Sequence, residues 1–299
     1  MVEGPPGAAF RCGYVAVVGR PNVGKSTLVN HLVGARISIT SKKAQTTRHR
    51  VAGILTTADA QYVFVDTPGF QTRYRSRLNA RMNRVVRDSL AGVDAVVLVL
   101  ESGNTTEGDR AVIRLLPDEA ATVAALNKVD ALADKDRLLP QIAALAALRP
   151  FCAFVPVSAE KDRGLSELLA AVRPLLPEAP PIFAGDEITD RDERFLAAEF
   201  IREKIFRLLG EEVPYATTVA IDRFEERDGV RHIHATIYVD RANQRPILLG
   251  EHGARMKEIA SSARADMERV FGGRVFLDVW VRVKRGWADD ETDLERFGY

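Results

Sequence analysis

The segment Tyr14-Val-Ala-Val-Val18 runs straight into Gly19-Arg20-Pro21-Asn22-Val23-Gly24-Lys25-Ser26-Thr27, and a helical pattern follows over Lys25–Val33. An apolar run, a turn of the form G-x-x-x-x-G-K-[ST] and an immediate helix start constrain the fold more than any other feature of the chain. The unit requires a buried strand in a mainly parallel sheet, with the loop at its carboxyl edge and the helix covering one face. The glycines let backbone N–H groups curl around phosphate oxygens, and the helix N-terminus adds a favourable field. In that arrangement Lys25 reaches the β- and γ-phosphates and the Ser26 hydroxyl ligates Mg²⁺.

The flanking sequence extends this unit. Apolar runs at Tyr14–Val18, Val51–Leu55, Tyr62–Val65, Ala95–Leu100, Thr122–Leu126 and Phe154–Val157 read as strands. Helical patterns at Lys25–Val33, Arg137–Leu148 and Gly164–Val172 separate several of them, which makes this half an α/β domain. Only a hairpin's length divides Val51–Leu55 from Tyr62, so that strand is the expected antiparallel member.

A phosphate loop does not choose a base, but Asn127-Lys128-Val129-Asp130 does. Asp130 can accept two hydrogen bonds from guanine N1–H and its 2-amino group, whereas adenine would leave the carboxylate unpaired. Asn127 is expected to tie this loop to the phosphate loop, the Lys128 stem to cover the base, and Ser158-Ala159 to form a second base-contacting loop. Asp66-Thr67-Pro68-Gly69 closes another buried strand, with Asp66 beside the metal and Gly69 near the γ-phosphate. Between these lies Lys43-Ala-Gln-Thr46-Thr47-Arg48, where a threonine that ligates Mg²⁺ only when the γ-phosphate is present makes the loop a switch. Thr47 is preferred over Thr46. The expected cofactors are therefore GTP/GDP and Mg²⁺. The catalytic candidates are Lys25, Thr47 and Gly69, and the metal ligands are Ser26, Thr47 and Asp66. Where Ras-like proteins carry a water-orienting glutamine after this glycine, this chain has Phe70, so slow intrinsic hydrolysis is expected. Gln71 follows, but a neighbouring side chain points elsewhere.

Four prolines fall within the nine residues Arg173-Pro-Leu-Leu-Pro-Glu-Ala-Pro-Pro181, which reads as a stiff linker and domain boundary. Beyond it the order becomes α-β-β-α-loop-α-β. A helix at Glu193–Leu209 precedes strands at Tyr215–Glu225 and Val230–Val239. An apolar turn (Pro246–Leu249), the loop Gly250-Glu251-His252-Gly253, a helix to Phe271 and a strand at Arg274–Lys284 follow. The expected division is a flexible 1–12, a nucleotide domain over 13–173, a linker over 174–190, an α+β domain over 191–285 and a tail to 299. A Gly-x-x-Gly loop between two helices can bring backbone N–H groups against about four nucleotides of phosphodiester chain.

Bulk charge gives no partner away. The 299 residues carry a net charge of +1, and the half from Pro181 onward holds 19 basic against 24 acidic residues. Residues 255–285 nevertheless hold eight basic and four acidic side chains, so a basic face is local. Arg255 and Lys257 beside the loop, with Arg282 and Lys284 on the last strand, are the RNA-binding candidates, together with Gly250, Glu251, His252 and Gly253. Arg73, Arg77, Arg81 and Arg84 recur at helical spacing and read as an exposed or RNA-contacting face. Trp280 and Trp287 read first as packing residues. Two unpaired-looking cysteines, Cys12 and Cys152, fit a reducing compartment. The N-terminal stretch lacks the pattern of a signal peptide, and no segment approaches the ~18 apolar residues that cross a bilayer.

Gly-Arg-Pro-Asn-Val-Gly-Lys-Ser-Thr, Gln-Thr-Thr-Arg, Asp-Thr-Pro-Gly and Asn-Lys-Val-Asp together resemble the translation-factor-related group that holds the Era family and its tRNA-modifying and double-GTPase relatives. Pro246-Ile-Leu-Leu-Gly250-Glu-His-Gly253, the run from Val275 through Trp280 to Trp287 and the ending Phe-Gly-Tyr299 resemble the Era family specifically. The resemblance implies a P-loop GTPase domain followed by a type II KH fold. It further implies binding near the 3′ end of 16S rRNA and a cytoplasmic role in assembly of the small (30S) ribosomal subunit. A K⁺ held by Asn22, a monomeric state and peripheral contact with the inner membrane face are compatible expectations. The chain departs from the family at Gln71-Thr-Arg-Tyr-Arg-Ser-Arg-Leu-Asn-Ala-Arg81, so the second switch is not carried over. The alternative is a signalling GTPase whose C-terminal domain binds a protein or membrane. A tRNA-modifying enzyme is disfavoured, because no suitable Cys or additional cofactor domain appears.

Overall fold

The computed structural model describes residues 9–41, 43–71, 76–210 and 212–299. It divides into two compact units, one formed by the described residues of 1–38, 47–74 and 82–190, the other by those of 39–46, 75–81 and 191–299.

In the first unit, β1 (Arg11–Val18) leads through the phosphate loop to α1 (Lys25–Val33), and β2 (Val51–Thr56) and β3 (Ala60–Asp66) follow as a hairpin. The chain continues through α2 (Arg77–Asp88, of which 82–88 belong to this unit), β4 (Ala95–Glu101), α3 (Glu107–Ile113), β5 (Thr122–Asn127), α4 (Leu138–Ala146), β6 (Ala153–Pro156) and α5 (Leu165–Val172). The six strands lie in the order β2-β3-β1-β4-β5-β6, with only β2 antiparallel. Their apolar runs are uninterrupted because helices cover both faces: Val15, Val17, Phe64, Val97, Leu98 and Leu126 are wholly buried. β1 has β3 on one side and β4 on the other, so the chain reverses direction across the sheet there. Its carboxyl end opens the crevice in which such sheets bind ligands.

The second unit contains α6 (Glu193–Leu208), β7 (Thr217–Arg227), β8 (Val230–Val239), α7 (Gln244–Leu249), α8 (Ala254–Phe271), β9 (Arg274–Val283) and α9 (Glu291–Arg296). Asp192 caps α6 by accepting from the Phe195 N–H at 2.8 Å. The sheet runs β7-β8-β9, antiparallel then parallel, with α6 and α8 on one face. Phe200, Ile201, Ile205, Ile233, Ala235, Ile237, Ile259, Ala263 and Met267 form its core. Part of the opposite face is capped by Trp287, Phe297 and Tyr299. The Trp287 indole is fully buried and donates to the Ala216 carbonyl at 3.0 Å, and Tyr238 meets Phe297 at 4.9 Å between ring centroids. Trp287 is thus a packing residue.

Three readings of the sequence change. The stiff linker read after Arg173 is more than a spacer, because Pro177–Asp190 is bonded along the first unit. The Cys12 N–H reaches the Pro177 carbonyl at 3.1 Å, the Ile54 N–H the Ile188 carbonyl at 2.9 Å, and the Ala52 N–H the Asp190 carboxylate at 3.0 Å. The helix expected at Arg137–Leu148 is a 3₁₀ turn over Lys135–Arg137 followed by α4, whose first turn contains Pro140, where a missing N–H costs nothing. The apolar turn at Pro246–Leu249 is the short helix α7, again with its proline in the first turn.

Candidate nucleotide site and nucleic-acid face

The phosphate loop joins β1 to α1. Gly24 sits in the left-handed region at φ 98°, and a Cβ there would strike the Asn127 amide, so the position demands glycine twice over. Gly69 shows the other reason for glycine: its Cβ would lie 2.7 Å from the Pro21 backbone, which fixes how closely the Asp66–Gly69 turn approaches the phosphate loop. Asn22 adopts φ 66° with its side chain exposed, while Val23 is fully buried beneath the loop. Thr27, on the first turn of α1, is half-buried.

Lys25 is buried at 6 % exposure and donates to the carbonyls of Gly19 and Arg20, each at 3.1 Å. Burial pulls its pKa down to about 8, against the attraction of Asp66. It is a cation held within the loop's own curl. Asp66 closes β3, and both its oxygens are buried with no hydrogen-bond partner among the described residues. Burial drives its pKa upward, opposed by the nearby Ser26 hydroxyl and by Lys25 and Ser38. An orphaned carboxylate of this kind is costly unless a cation meets it. The Ser26 and Thr47 hydroxyls lie 2.7 Å apart and Ser26 lies beside Asp66, so the three oxygen-bearing residues assigned to the metal are gathered near Lys25. This donor set of hydroxyls and one carboxylate suits a hard cation such as Mg²⁺ that keeps most of its shell for water and phosphate. Thr46 turns away, its hydroxyl donating to the Lys43 carbonyl at 2.7 Å. Thr67 donates to the Val17 carbonyl at 2.8 Å and thereby pins Pro68 and the turn to β1. Phe70 is buried and packs with Ala16, Val18, Val86 and Leu90.

The base end is built by β5 and the turn after β6. Asn127 is buried; its amide donates to the Val23 carbonyl at 2.8 Å and accepts from the Ala159 N–H at 3.0 Å. One side chain therefore joins three loops. The Ser158 hydroxyl donates to Asp130 at 2.5 Å and, with Lys161 and Arg163 nearby, holds that carboxylate below the usual range and ionised. Asp130 itself remains exposed and able to accept from a ligand, and the Val129 N–H meets the Val157 carbonyl at 3.2 Å.

Two residues of this site escape a reading of the sequence. Glu101, at the end of β4, receives Arg20 at 2.6 Å and Lys128 at 3.3 Å; burial works to raise its pKa, and the two cations outweigh it and lower it. Asp109 is fully buried, takes Arg20 Nε at 3.1 Å and completes a capping box with Thr106 at the start of α3. The Thr-x-x-Asp spacing is a readable signal for the cap, though not for its link to the phosphate loop.

The loop before Thr47 belongs to the second unit. Arg202 on α6, buried and paired with Glu199 at 2.6 Å, donates to the Thr46 carbonyl. Glu203, fully buried, accepts from the Thr40 N–H at 3.1 Å; Arg207 reaches the Thr40 hydroxyl at 3.1 Å; and Lys43 donates to the Leu209 carbonyl. Hydrophobic periodicity gives no sign of these buried charges on α6.

Gly250, Glu251, His252 and Gly253 lie between α7 and α8, and their side-chain-bearing members are exposed. Gly250, His252 and Gly253 all have positive φ (71°, 48° and 76°). Arg255 and Lys257 are exposed on the first turns of α8, and Arg282 is exposed on β9. Lys284 differs from expectation: it pairs with the buried Asp293 at 2.6 Å, so its charge serves the C-terminal cap. Arg81 likewise pairs with Glu291 at 3.1 Å, whereas Arg73 lies outside the described residues. Leu248 and Ile259 belong to the core and Ile247 is exposed. His232 and His234 contact Phe276, and among the described residues no His/Cys/Asp/Glu cluster suited to a metal occurs.

A phosphate loop at a switch point, an orphaned carboxylate beside paired hydroxyls and an ionised Asp130 behind Asn127 define a P-loop GTPase, here followed by a KH fold. A family profile described as 50S ribosome-binding GTPase matches residues 14–128, and one described as KH domain matches residues 212–288. A protein named GTPase Era from Nitrosomonas eutropha is 52 % identical over 292 residues, covering 98 % of this chain and 99 % of the relative. The crystal structure of a point variant of Aquifex aeolicus Era bound to GDP·AlF4⁻ superposes with a TM-score of 0.93 at 36 % identity, covering 97 % and 99 % of the two chains. An Era structure in complex with MgGDPNP and nucleotides 1506–1542 of 16S ribosomal RNA gives 0.92 at the same identity and coverage. The chain belongs to the Era family of GTPases.

Proposed function

We propose that this protein is a GTP-driven switch that binds 16S rRNA near its 3′ end through the KH domain and assists assembly of the small ribosomal subunit in the cytoplasm. The observation that carries the reading is the exposed Gly250–Gly253 loop between α7 and α8, in a KH fold similar to that of a relative bound to a 16S rRNA segment. Its backbone N–H groups and the adjacent Arg255 and Lys257 suit a phosphodiester chain. Among the described residues no helix is long and apolar enough to cross a membrane.

At the nucleotide, Ser26, Thr47 and Asp66 would hold Mg²⁺, which supplies charge neutralisation at the phosphate oxygens. Lys25 and the loop N–H groups bind the β- and γ-phosphates, and Asp130 reads guanine with Lys128 over the ring. Thr47 acts in the state bearing the γ-phosphate, and Gly69 lets the Asp66 turn approach it. With Phe70 packed in the core, no side chain at that position orients water, and intrinsic hydrolysis is slow. A K⁺ beside Asn22 would offset charge developing in the transition state.

The test is RNA binding by the GTP-loaded chain carrying Glu251→Asp and His252→Asp. His252 occupies the left-handed region, which Asp tolerates better than most residues, so the fold survives. Affinity for a 16S 3′-end RNA should fall at least tenfold, about 1.4 kcal/mol, with GTP affinity unchanged. Wild-type binding should weaken as salt rises, through counterion release. Equal binding by the substituted protein would transfer the domain to the protein-partner reading.

A further inference from the structure

The KH sheet has two faces, and only one is accounted for. α6 and α8 cover the inner face, while the C-terminal cap covers the Tyr238 and Thr218 end of the outer one, with Tyr299 bonded to Thr218 at 3.0 Å. The rest of the outer face carries a row of rings. Phe276 and Trp280 on β9 are 50 % and 62 % exposed, and His232 and His234 on β8 flank Phe276 at 5.3 and 6.1 Å between ring centroids. Alternation along β9 places Arg274, Phe276, Asp278, Trp280 and Arg282 on this same face, so exposed arginines bracket the rings. The acids of this face are all engaged: Asp278 accepts from the Trp280 indole N–H at 2.9 Å and lies 3.4 Å from His234 Nδ1, Asp222 accepts from the Thr236 hydroxyl at 2.6 Å, and Glu225, opposite His232, pairs with Arg223 and Arg227 at 2.5 and 2.6 Å.

We propose that this outer face is a second RNA-contacting surface, on which Phe276 and Trp280 stack unpaired bases while Arg274 and Arg282 hold the flanking phosphates. Four residues of strand separate the two rings by about 13 Å, enough for each to serve its own base. Planar rings rimmed by arginines fit single-stranded nucleic acid, whose bases offer faces and whose backbone offers charge. A continuous route exists as well. β9 is the edge strand of the sheet and α7, which leads into the Gly250–Gly253 loop, packs against it, so a strand leaving that loop passes over the edge onto this face. The inference rests on the RNA reading of the KH domain and extends it.

The two tryptophans supply the assay, because Trp287 is fully buried and Trp280 is largely exposed. Intrinsic emission is followed while the GTP-loaded full chain is titrated with two RNAs. One is about four nucleotides long, matching the Gly-x-x-Gly loop; the other is a 16S 3′-end RNA roughly three times longer. The longer RNA should quench emission and the short one should not. Phe276→Ala with Trp280→Ala should weaken the longer RNA at least tenfold and leave the short RNA unchanged. Trp280→Phe alone should retain affinity while removing the quench. Both side chains are exposed, so folding is retained and is checked by thermal melting. Unquenched emission, or unaltered affinity of the double variant for the longer RNA, overturns the proposal. If the loop variant of the preceding section loses binding at the same time, the RNA reading of the domain stands without it. If that variant binds normally too, both readings fall.

Discussion

Asn127 makes the three loops of the nucleotide site one object, and its removal should separate ligands by how many loops they touch. The side chain is 2 % exposed and makes one bond to the phosphate loop and one to the Ser158-Ala159 turn, at 2.8 and 3.0 Å. Asn127→Ala deprives the Val23 carbonyl and the Ala159 N–H of this partner. Each deprived buried group costs about 1–3 kcal/mol, which places the loss at about 3 kcal/mol after partial relaxation. GDP spans the phosphate and base loops, so it must hold them in register itself; its affinity should fall roughly a hundredfold, about 2.7 kcal/mol. Pyrophosphate touches only the phosphate loop and should lose no more than about threefold. Asn127→Asp sharpens the comparison, since it keeps the acceptor for Ala159 and sets an anionic oxygen against the Val23 carbonyl. Calorimetric titration of both ligands into both variants, with melting curves as the check on folding, reads the difference. Equal weakening of GDP and pyrophosphate would refute the idea that Asn127 acts by coupling loops.

Other expectations are simpler. Asp130→Asn exchanges an acceptor for a donor, so GTP should lose roughly 10³–10⁴ in affinity while XTP gains; unchanged selectivity in competition titrations would remove Asp130 from base reading. If Asn22 supports K⁺, hydrolysis should run faster in KCl than in NaCl at matched ionic strength, and equal rates dispose of that role. Cys12 is buried, which pushes its thiol upward, whereas Cys152 is exposed, so a thiol reagent at neutral pH should modify one cysteine quickly and the second only on unfolding. Two fast thiols would contradict that burial.

What can be read in the sequence is whatever repeats or sits at fixed spacing. The helix at Lys25–Val33 and the strand at Val230–Val239 appear with the expected ends, and β2 is antiparallel because its hairpin is too short for a crossover. Every nucleotide motif falls at a carboxyl edge of the sheet. The unreadable part is polar and long-range. Glu101 and Asp109 meet Arg20 across 81 and 89 residues, and nothing local marks either as its partner. Arg202 and Glu203 look like surface charges of an amphipathic helix and are buried instead. Lys284 reads as an RNA-binding candidate, and no local pattern marks its pairing with Asp293 at 2.6 Å. The proline run reads only as a stiff linker because composition reports stiffness and says nothing of which hydrogen bonds the chain will find.

The anchors of the loop before Thr47 impose an order on synthesis. The Thr46 carbonyl meets Arg202 across 156 residues, and the Thr40 N–H meets Glu203 across 163. At about 5–20 residues per second, a ribosome completes the Gly19–Thr27 loop and then works for roughly 10–30 s before α6 is available. For that interval the nascent chain can curl its phosphate loop and assemble much of its sheet, while residues 39–46 wait for their partners. Contacts of such sequence separation form late and slow the final step of folding. The first half of the polypeptide therefore emerges with its phosphate loop made and its switch unfinished, and only the later part of the chain brings that segment into place.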